Sequence, residues 1–200
     1  MADLSSGFWP VTGIHGQRSM QATRHYVSSN NGSGIFLGDP CAASSDGSWL
    51  AAGTSTLVTG ISNGASYVVA GKRISDKFLP VSTTYTPTAA GSPNASFIYT
   101  FDDPGALFAA SFSAALTSDY YTYVNLSANC AGSPTGSTTT GISGYVLDQA
   151  TIANGTFQFR IMALDDATAD EDVSTAGVHA FVQLNTALAG ANPYFTTTGL

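Results

Sequence analysis

Short apolar runs separated by turn residues make up most of the chain from Ile35 onward. This spacing is typical of an all-β protein, in which brief strands are joined by loops rich in Gly, Ser and Thr. We therefore predict a barrel or a sandwich of short antiparallel strands. The eight predicted strands are Ile35–Leu37, Trp49–Ala52, Tyr67–Ala70, Phe97–Phe101, Tyr121–Leu126, Tyr145–Leu147, Thr156–Leu164 and Val178–Leu184.

The alternation of apolar and polar positions is clearest in the last two predicted strands. In Thr156–Leu164 the apolar residues at 157, 159 and 161 share one face, and we predict that Gln158, Arg160 and Met162 share the other. In Val178–Leu184 the even-numbered positions are apolar and are expected to face the core.

One segment fits either a helix or a strand. Asp103 and Pro104 have the residue types of a helix N-cap and first helical position, followed by an alanine-rich stretch over Ala106–Leu116. Phe108 and Phe112 within it fit both structures. The sequence leaves these two alternatives open.

The first 34 residues differ from the remainder because no period of 2 or 3.6 runs through them. We predict an extended N-terminal arm over residues 1–34 that binds a partner, and a β-rich body over residues 35–200. The alternative is a loosely packed first strand and loop. Trp and Arg are enriched where interfaces bind most strongly. The predicted interface residues are Phe8, Trp9, Arg18, Arg24 and Tyr26.

Composition narrows the range of partners. Only 10% of the residues are charged, and the net charge of −7 argues against nucleic acid, which is bound by clustered Lys and Arg. No apolar run approaches the ~18 residues of a membrane-spanning helix. The first residues lack the basic and apolar regions of a signal peptide, so we expect folding in a cytoplasm. In that compartment Cys41 and Cys130 are expected to be free thiols, although a disulfide would suit a secreted protein.

One segment of the sequence matches a catalytic motif but lacks the structural context that the motif requires. Residues 60–64 match the G-x-S-x-G pattern of a hydrolase nucleophile, and Asp148 and His179 follow in the order of a catalytic triad. That motif requires a helix after the serine, whereas Ala65–Val69 is strand-like. We therefore predict a β-turn at residues 60–64 and no enzymatic activity.

No metal or cofactor site is predicted either. Asp165–Thr175 contains the only acidic cluster, which lacks the glycine and ligand spacing of a calcium loop and is expected to be solvated. Weak calcium binding at an interface stays open. The three histidines have no zinc-ligand spacing, and no cysteine lies near enough to complete a set.

Five segments of the chain follow one another in a distinctive order. They are Gly38–Pro40, Phe97–Pro104, Gly136–Asp148, Phe157–Leu164 and Ala180–Asn185. The most specific part is the Gly-Ser-Thr-Thr-Thr-Gly segment followed by the Phe-Gln-Phe-Arg-Ile strand. In this order the segments resemble small head proteins of tailed bacteriophages that are described as capsid decoration (cement) proteins. The resemblance covers most of residues 7–185, and residues 186–200 continue past the point where the family's chains tend to end.

The resemblance implies a virion structural protein that binds the outer surface of the phage head and stabilises the lattice of the major capsid protein. It implies assembly in the host cytoplasm and no catalytic residues. A homotrimer is expected from the closed symmetry at capsid axes, with no nucleic-acid or membrane partner. The alternative is a carbohydrate-binding or adhesive module of a phage tail or fibre, using aromatic residues such as Tyr120, Tyr121 and Tyr123.

Overall fold

Two antiparallel β-sheets form a sandwich, which confirms the all-β prediction. The structure, a computed structural model, describes residues 7–11, 20–27, 31–53, 56–81, 92–114, 122–127, 136–152, 157–164 and 178–185. Within these ranges the only helical element is a 3-10 turn at Gln149–Thr151. The strands are β1 (Phe8–Pro10), β2 (Thr23–Tyr26), β3 (Pro40–Ala43), β4 (Trp49–Ala51), β5 (Gly60–Val69), β6 (Lys72–Asp76), β7 (Phe97–Phe101), β8 (Phe108–Ser111), β9 (Tyr123–Val124), β10 (Phe159–Leu164) and β11 (His179–Leu184).

The five-stranded sheet has the order β1-β8-β11-β10-β9 and carries the larger core. Even-numbered positions of β11 are buried and odd-numbered ones are half-buried, as the sequence predicts. Phe159 and Ile161 of β10 are fully buried beside them. The ring of Phe8 stacks on that of Phe159 with centroids 4.6 Å apart. This stacking joins the first strand of the sheet to one that comes late in the chain.

The six-stranded sheet has the order β2-β7-β5-β3-β4, with β6 paired to the second half of β5. A parallel bridge between Val27 and Trp49 brings its two edge strands together, so the sheet curls on itself. Its two faces bury different sets of residues. Ile61 and Phe101 pack into the larger core, whereas Ile98 belongs to a smaller cluster with Trp49.

Several local expectations are corrected by the strand pattern. The segment left open between helix and strand contains β8, a strand buried on both faces, and residues 115 and 116 lie outside the described ranges. Residues 60–64 are part of β5 rather than a β-turn, with a register shift between Ser62 and Ala65. In the predicted strand Tyr145–Leu147 only Leu147 makes β-bridges.

The described parts of the predicted arm belong to the body. Phe8–Pro10 pairs with β8 as an edge strand of one sheet, and Thr23–Tyr26 pairs with β7 as an edge strand of the other. The boundary expected at residue 34 therefore does not separate two units here. Short strands of this kind escape sequence patterns because three or four residues show too little alternation.

A buried junction at Gly38 and Asp39 connects the two sheets. The Gly38 carbonyl accepts from Phe8 N (3.0 Å), and Gly38 N donates to the Ser62 carbonyl (2.8 Å). Gly38 has φ +86°, and a Cβ there would lie 3.1 Å from Phe8 N, so only glycine fits. Ser62 N donates to the Asp39 carbonyl, and Phe36 N donates to Asp39 Oδ2 at 2.7 Å.

The Asp39 side chain is fully buried, and in the described residues its Oδ1 has no hydrogen-bond partner. Burial raises the pKa of Asp39 to about 7, although hydrogen bonds from Phe36 N and the Ser143 hydroxyl act in the opposite direction. Below about pH 7 the protonated form of this carboxyl is therefore favoured in the folded protein.

Gln158 makes a second connection between the sheets. Its buried amide Nε2 donates to the carbonyls of Gly53 and Thr56, which follow β4, and its Oε1 accepts from Leu126 N at 2.9 Å. The sequence alternation placed Gln158 on the face of Arg160 and Met162. Gln158 is nevertheless only 3% exposed, because these bonds satisfy its amide in the interior.

Substituting Gln158→Met is expected to lower the free energy of unfolding by about 2–4 kcal/mol, because two carbonyls and one amide lose their buried partner. Urea denaturation measures the loss. The control is Gln183→Met on β11, whose amide lies at the surface and donates to the Gly105 carbonyl at 3.3 Å. Equal losses in the two variants would contradict the connecting role of Gln158.

Substituting Asp39→Asn is expected to flatten the pH dependence of stability. The folded pKa of about 7 lies above the ordinary 3.8, so the contribution of Asp39 is largest below pH 4 and declines as the pH rises toward 7. The native protein should lose roughly 2–3 kcal/mol between pH 5 and pH 8 through this group.

Chemical denaturation at the two pH values, compared between the native protein and the variant, isolates this contribution from that of other groups. Asp46 and Asp102 have pKa values below the ordinary one, so they act at lower pH. The same pH slope in both proteins would show that Asp39 is not protonated in the folded state.

Candidate functional site

An arginine–aromatic patch lies on one face of the six-stranded sheet. It consists of Arg24 and Tyr26 on β2, Phe97 and Tyr99 on β7, and Arg73 on β6. Both arginines are exposed, and the three aromatic residues are half-buried. This combination of fixed rings and exposed cations is the most distinctive surface in the described part of the chain.

Strand register places these residues on the same face. Arg24 lies opposite Tyr99 and Tyr26 opposite Phe97, and directly paired residues share a face of an antiparallel sheet. The same face continues across β5 to Arg73, whose guanidinium Nη1 donates to Ser66 Oγ at 3.2 Å. Further along β7, Phe101 is on this face but is buried in the larger core.

The ring of Phe97 lies near both cations. The guanidinium carbon of Arg24 is 4.6 Å from its centroid, and that of Arg73 is 5.3 Å away. Tyr26 adds a tilted aromatic contact to Phe97 at 4.9 Å. Cations over an aromatic face are attracted by its negative potential, so these contacts hold the guanidinium groups in place.

The β5–β6 hairpin positions Arg73. Its two turn residues, Ala70 and Gly71, have φ +48° and +77°, as in a type I′ turn, which matches the twist of the strands. Arg73 Nη2 then donates to the carbonyls of Pro93 and Ala95, at 2.9 and 3.2 Å. The guanidinium group is therefore fixed before any partner binds.

On the opposite face of β2, two side chains bond to Asp102 and fix this strand, which also carries Arg24. His25 Nε2 lies 3.1 Å from Asp102 Oδ2, and Thr23 Oγ1 donates to Asp102 Oδ1 at 3.0 Å. His25 also stacks on Trp49 with centroids 3.9 Å apart. Partial burial opposes ionisation of Asp102, but the hydrogen bonds from His25 and Thr23 outweigh it and hold its pKa below the usual range.

The patch contrasts with the charge of the whole chain. The net charge is −7, yet on the described strand positions of this face no acidic residue lies beside the arginines. In the described ranges neither Arg24 nor Arg73 forms a salt bridge. Asp76 and Asp102, the nearest acids along β6 and β7, occupy positions of the opposite parity.

The structure separates the five predicted interface residues. Arg24 and Tyr26 are neighbours in the patch. Phe8 is 1% exposed in the core, so its predicted place at an interface is corrected: its ring packs on Phe159. Trp9 is half-buried on the other sheet, on the side of β1 opposite Phe8, and Arg18 lies outside the described residues.

Three residues of the patch were missed by sequence reasoning. Arg73 sits on β6, where all five residues are exposed, so no alternation marked a strand. Phe97 and Tyr99 lie in a correctly predicted strand whose outward positions are aromatic. Aromatic residues on the polar face of a strand were the available signal, since solvent-facing positions are usually hydrophilic.

Among the described residues, the other chemistry-bearing side chains do not form a recognisable site. Ser62 is 2% exposed within a strand, and its hydroxyl accepts from Gly64 N. Cys41 is a buried free thiol, as predicted, and Cys130 and the acidic cluster lie outside the described residues. Across the described ranges, no three His, Cys, Asp or Glu residues are grouped to hold a metal ion. No helix in those ranges has the length and hydropathy needed to cross a membrane.

Comparison with known proteins adds no family assignment. No protein-family model matches the chain, and neither the curated proteins nor the solved structures show a significant similarity to it.

Substituting Ala70→Asn is expected to raise the free energy of unfolding by roughly 0.5–1 kcal/mol. Asn tolerates the left-handed conformation that costs an alanine, and Asn-Gly is a preferred type I′ pair. Thermal and urea denaturation check the gain. Ala43→Asn, at a strand position with ordinary φ, is the control, and an equal effect there would contradict the explanation.

Proposed function

We propose that this protein is a capsid decoration protein, which binds the outer surface of a tailed-phage head and stabilises the lattice of the major capsid protein. The observation that supports this function best is the arginine–aromatic patch. Arg, Tyr and other aromatic residues are enriched at the energetically dominant positions of protein interfaces. The sequence resemblance to phage head proteins supplies the class of partner.

Binding would stabilise the head by mass action. A protein that binds only the assembled lattice stabilises it by an amount that grows with the logarithm of its concentration above the dissociation constant, and bridging of neighbouring subunits adds buried interface. In this proposal the patch faces the shell, and the acidic remainder of the molecule faces solvent. A homotrimer placed at a symmetry axis would repeat the patch and increase the avidity.

The fold changes how the interface should be tested. A deletion of residues 1–34 would remove β1 and β2, and with them the Phe8 ring from the core. Loss of binding after such a deletion would report unfolding. Single substitutions on exposed positions of the patch leave both sheets intact.

The purified protein is expected to co-sediment with heads from which it is missing and to raise their melting temperature. Arg24→Gln should lower occupancy about tenfold, the effect of losing one charge-assisted contact. Lys72→Gln is the matched control: it removes the same charge from the exposed position next to Arg73, on the opposite face of β6. Electron cryomicroscopy of the reconstituted heads would locate the bound protein.

Failure of the native protein to bind heads would overturn the proposal. The alternative is a carbohydrate-binding module. Tyr123, one of its three expected aromatic residues, lies on edge strand β9, and Tyr120 and Tyr121 are outside the described residues. Glycan-array binding without any affinity for heads would establish that alternative.

A further inference from the structure

Two guanidinium groups share one aromatic ring in the arginine–aromatic patch. Because their carbons lie 4.6 and 5.3 Å from the Phe97 centroid, the two positive charges are no more than about 10 Å apart. This is close to the Debye length at physiological ionic strength, so the two charges repel each other with incomplete screening. In the described ranges neither arginine forms an ion pair with a carboxylate.

A bound anion would remove this repulsion. Arginine presents a planar fork of donors that can match a carboxylate in two parallel hydrogen bonds, and within the described residues Arg24 has this fork available. Arg73 has three of its five N–H groups bonded within the protein, so it contributes its charge and one remaining donor each on Nη1 and Nε. An exposed ion pair ordinarily contributes little, because ordering a long side chain costs entropy. In this patch part of that entropy is already lost in the free protein. Arg73 is held by three hydrogen bonds, and both guanidinium groups lie near the Phe97 ring.

We propose that the patch binds a short acidic segment of a partner protein, in which two carboxylates flank one residue in an extended chain. This inference rests on the proposed function, which supplies the partner, and it names the chemistry that the partner must present. Alternate side chains of an extended strand lie about 7 Å apart on one side, within reach of two cations at this separation.

The aromatic residues favour a polypeptide over other anions. Phe97, Tyr26 and Tyr99 are half-buried, so they offer apolar contact to the chain that carries the carboxylates. A nucleic acid presents a dense row of charges, which the net charge of −7 would repel around a patch with only two arginines. A second copy of this chain also carries −7, and that like charge opposes docking of its own acidic run at residues 165–172.

The test uses the full chain and two labelled peptides, GSDLDSG and GSNLNSG. Fluorescence anisotropy should show that the acidic peptide binds at least about tenfold more tightly than its amide counterpart, since only a carboxylate forms charge-assisted bonds. Raising the salt concentration should weaken the binding of the acidic peptide. Equal affinity for the two peptides would overturn the proposal.

Variants locate the binding. Arg24→Gln should weaken binding of the acidic peptide about tenfold, Arg24→Lys should restore part of the affinity, and Lys72→Gln should leave it nearly unchanged. Phe97→Leu should weaken binding by less than Arg24→Gln, because it removes the stacking contact but keeps both charges. Equal effects of Arg24→Gln and Lys72→Gln would show nonspecific charge attraction and refute the site.

Two further measurements test the other possible ligands of the patch, which are nucleic acid and a second copy of this chain. Tighter binding of a duplex DNA oligonucleotide than of the acidic peptide, lost in Arg24→Gln, would assign the patch to nucleic acid. Sedimentation velocity that shows self-association, abolished by the same substitution, would assign it to a second copy. Either result would overturn the proposal.

The assays with heads and with peptides fail independently. Binding to heads without binding to the acidic peptide would refute the carboxylate chemistry alone. Binding to the peptide without binding to heads would refute the decoration role and leave the chemistry of the patch in place.

Discussion

The junction at Gly38 and Asp39 is the constraint on which the two sheets depend. The backbone of these two residues forms hydrogen bonds to β1 of one sheet and to β5 of the other. The partners are Phe8 N on β1 and the backbone N–H and carbonyl of Ser62 on β5. Such close approach leaves no space for a side chain at Gly38 and places the Asp39 carboxyl in the interior. Burying a partly unsatisfied carboxyl costs free energy, and the convergence of three chain segments offsets that cost.

The arginine–aromatic patch is positioned by the packing of β7 against the two hydrophobic clusters. Phe101 anchors one end of β7 in the larger core, and Ile98 anchors the same strand in the smaller cluster on its other face. Phe97 and Tyr99 lie on the same strand, which these two contacts hold in position, and both rings reach the surface. A strand packed on both sides thus presents rigid rings, and rigid rings are what allow two arginines to be ordered without a partner.

Much of the fold could be predicted from the sequence, and the reasons differ among strands. The strand Phe97–Phe101 was predicted with its observed bounds, and alternation correctly identified the inward positions of β11. In contrast, β3 is a short strand of small residues and proline, and β8 is buried on both faces, so neither shows a period of two. A strand is recognised in sequence by the difference in polarity between its two faces, and in these two strands that difference is small.

The candidate site was predicted only in part, because it is made by pairing between distant strands. Arg24 and Tyr26 were predicted as interface residues from their residue types, and the structure places both in the patch. Nothing in the sequence placed Arg73 beside them, since that contact requires both the hairpin at Ala70 and the order of strands in the sheet. Gln158 illustrates the same limit, because its burial follows from carbonyl groups of a loop about a hundred residues earlier.

The pairing of β1 with β8 bears on how the chain reaches this fold. Phe8 is synthesised well before the residues that it contacts. It pairs with Ala110 on β8, and its ring stacks on that of Phe159 on β10. The five-stranded sheet therefore closes only after β11 has been synthesised, and contacts so far apart in sequence make folding slow. Until then β1 has no partner strand, and an unpaired strand edge is a general risk for aggregation during folding.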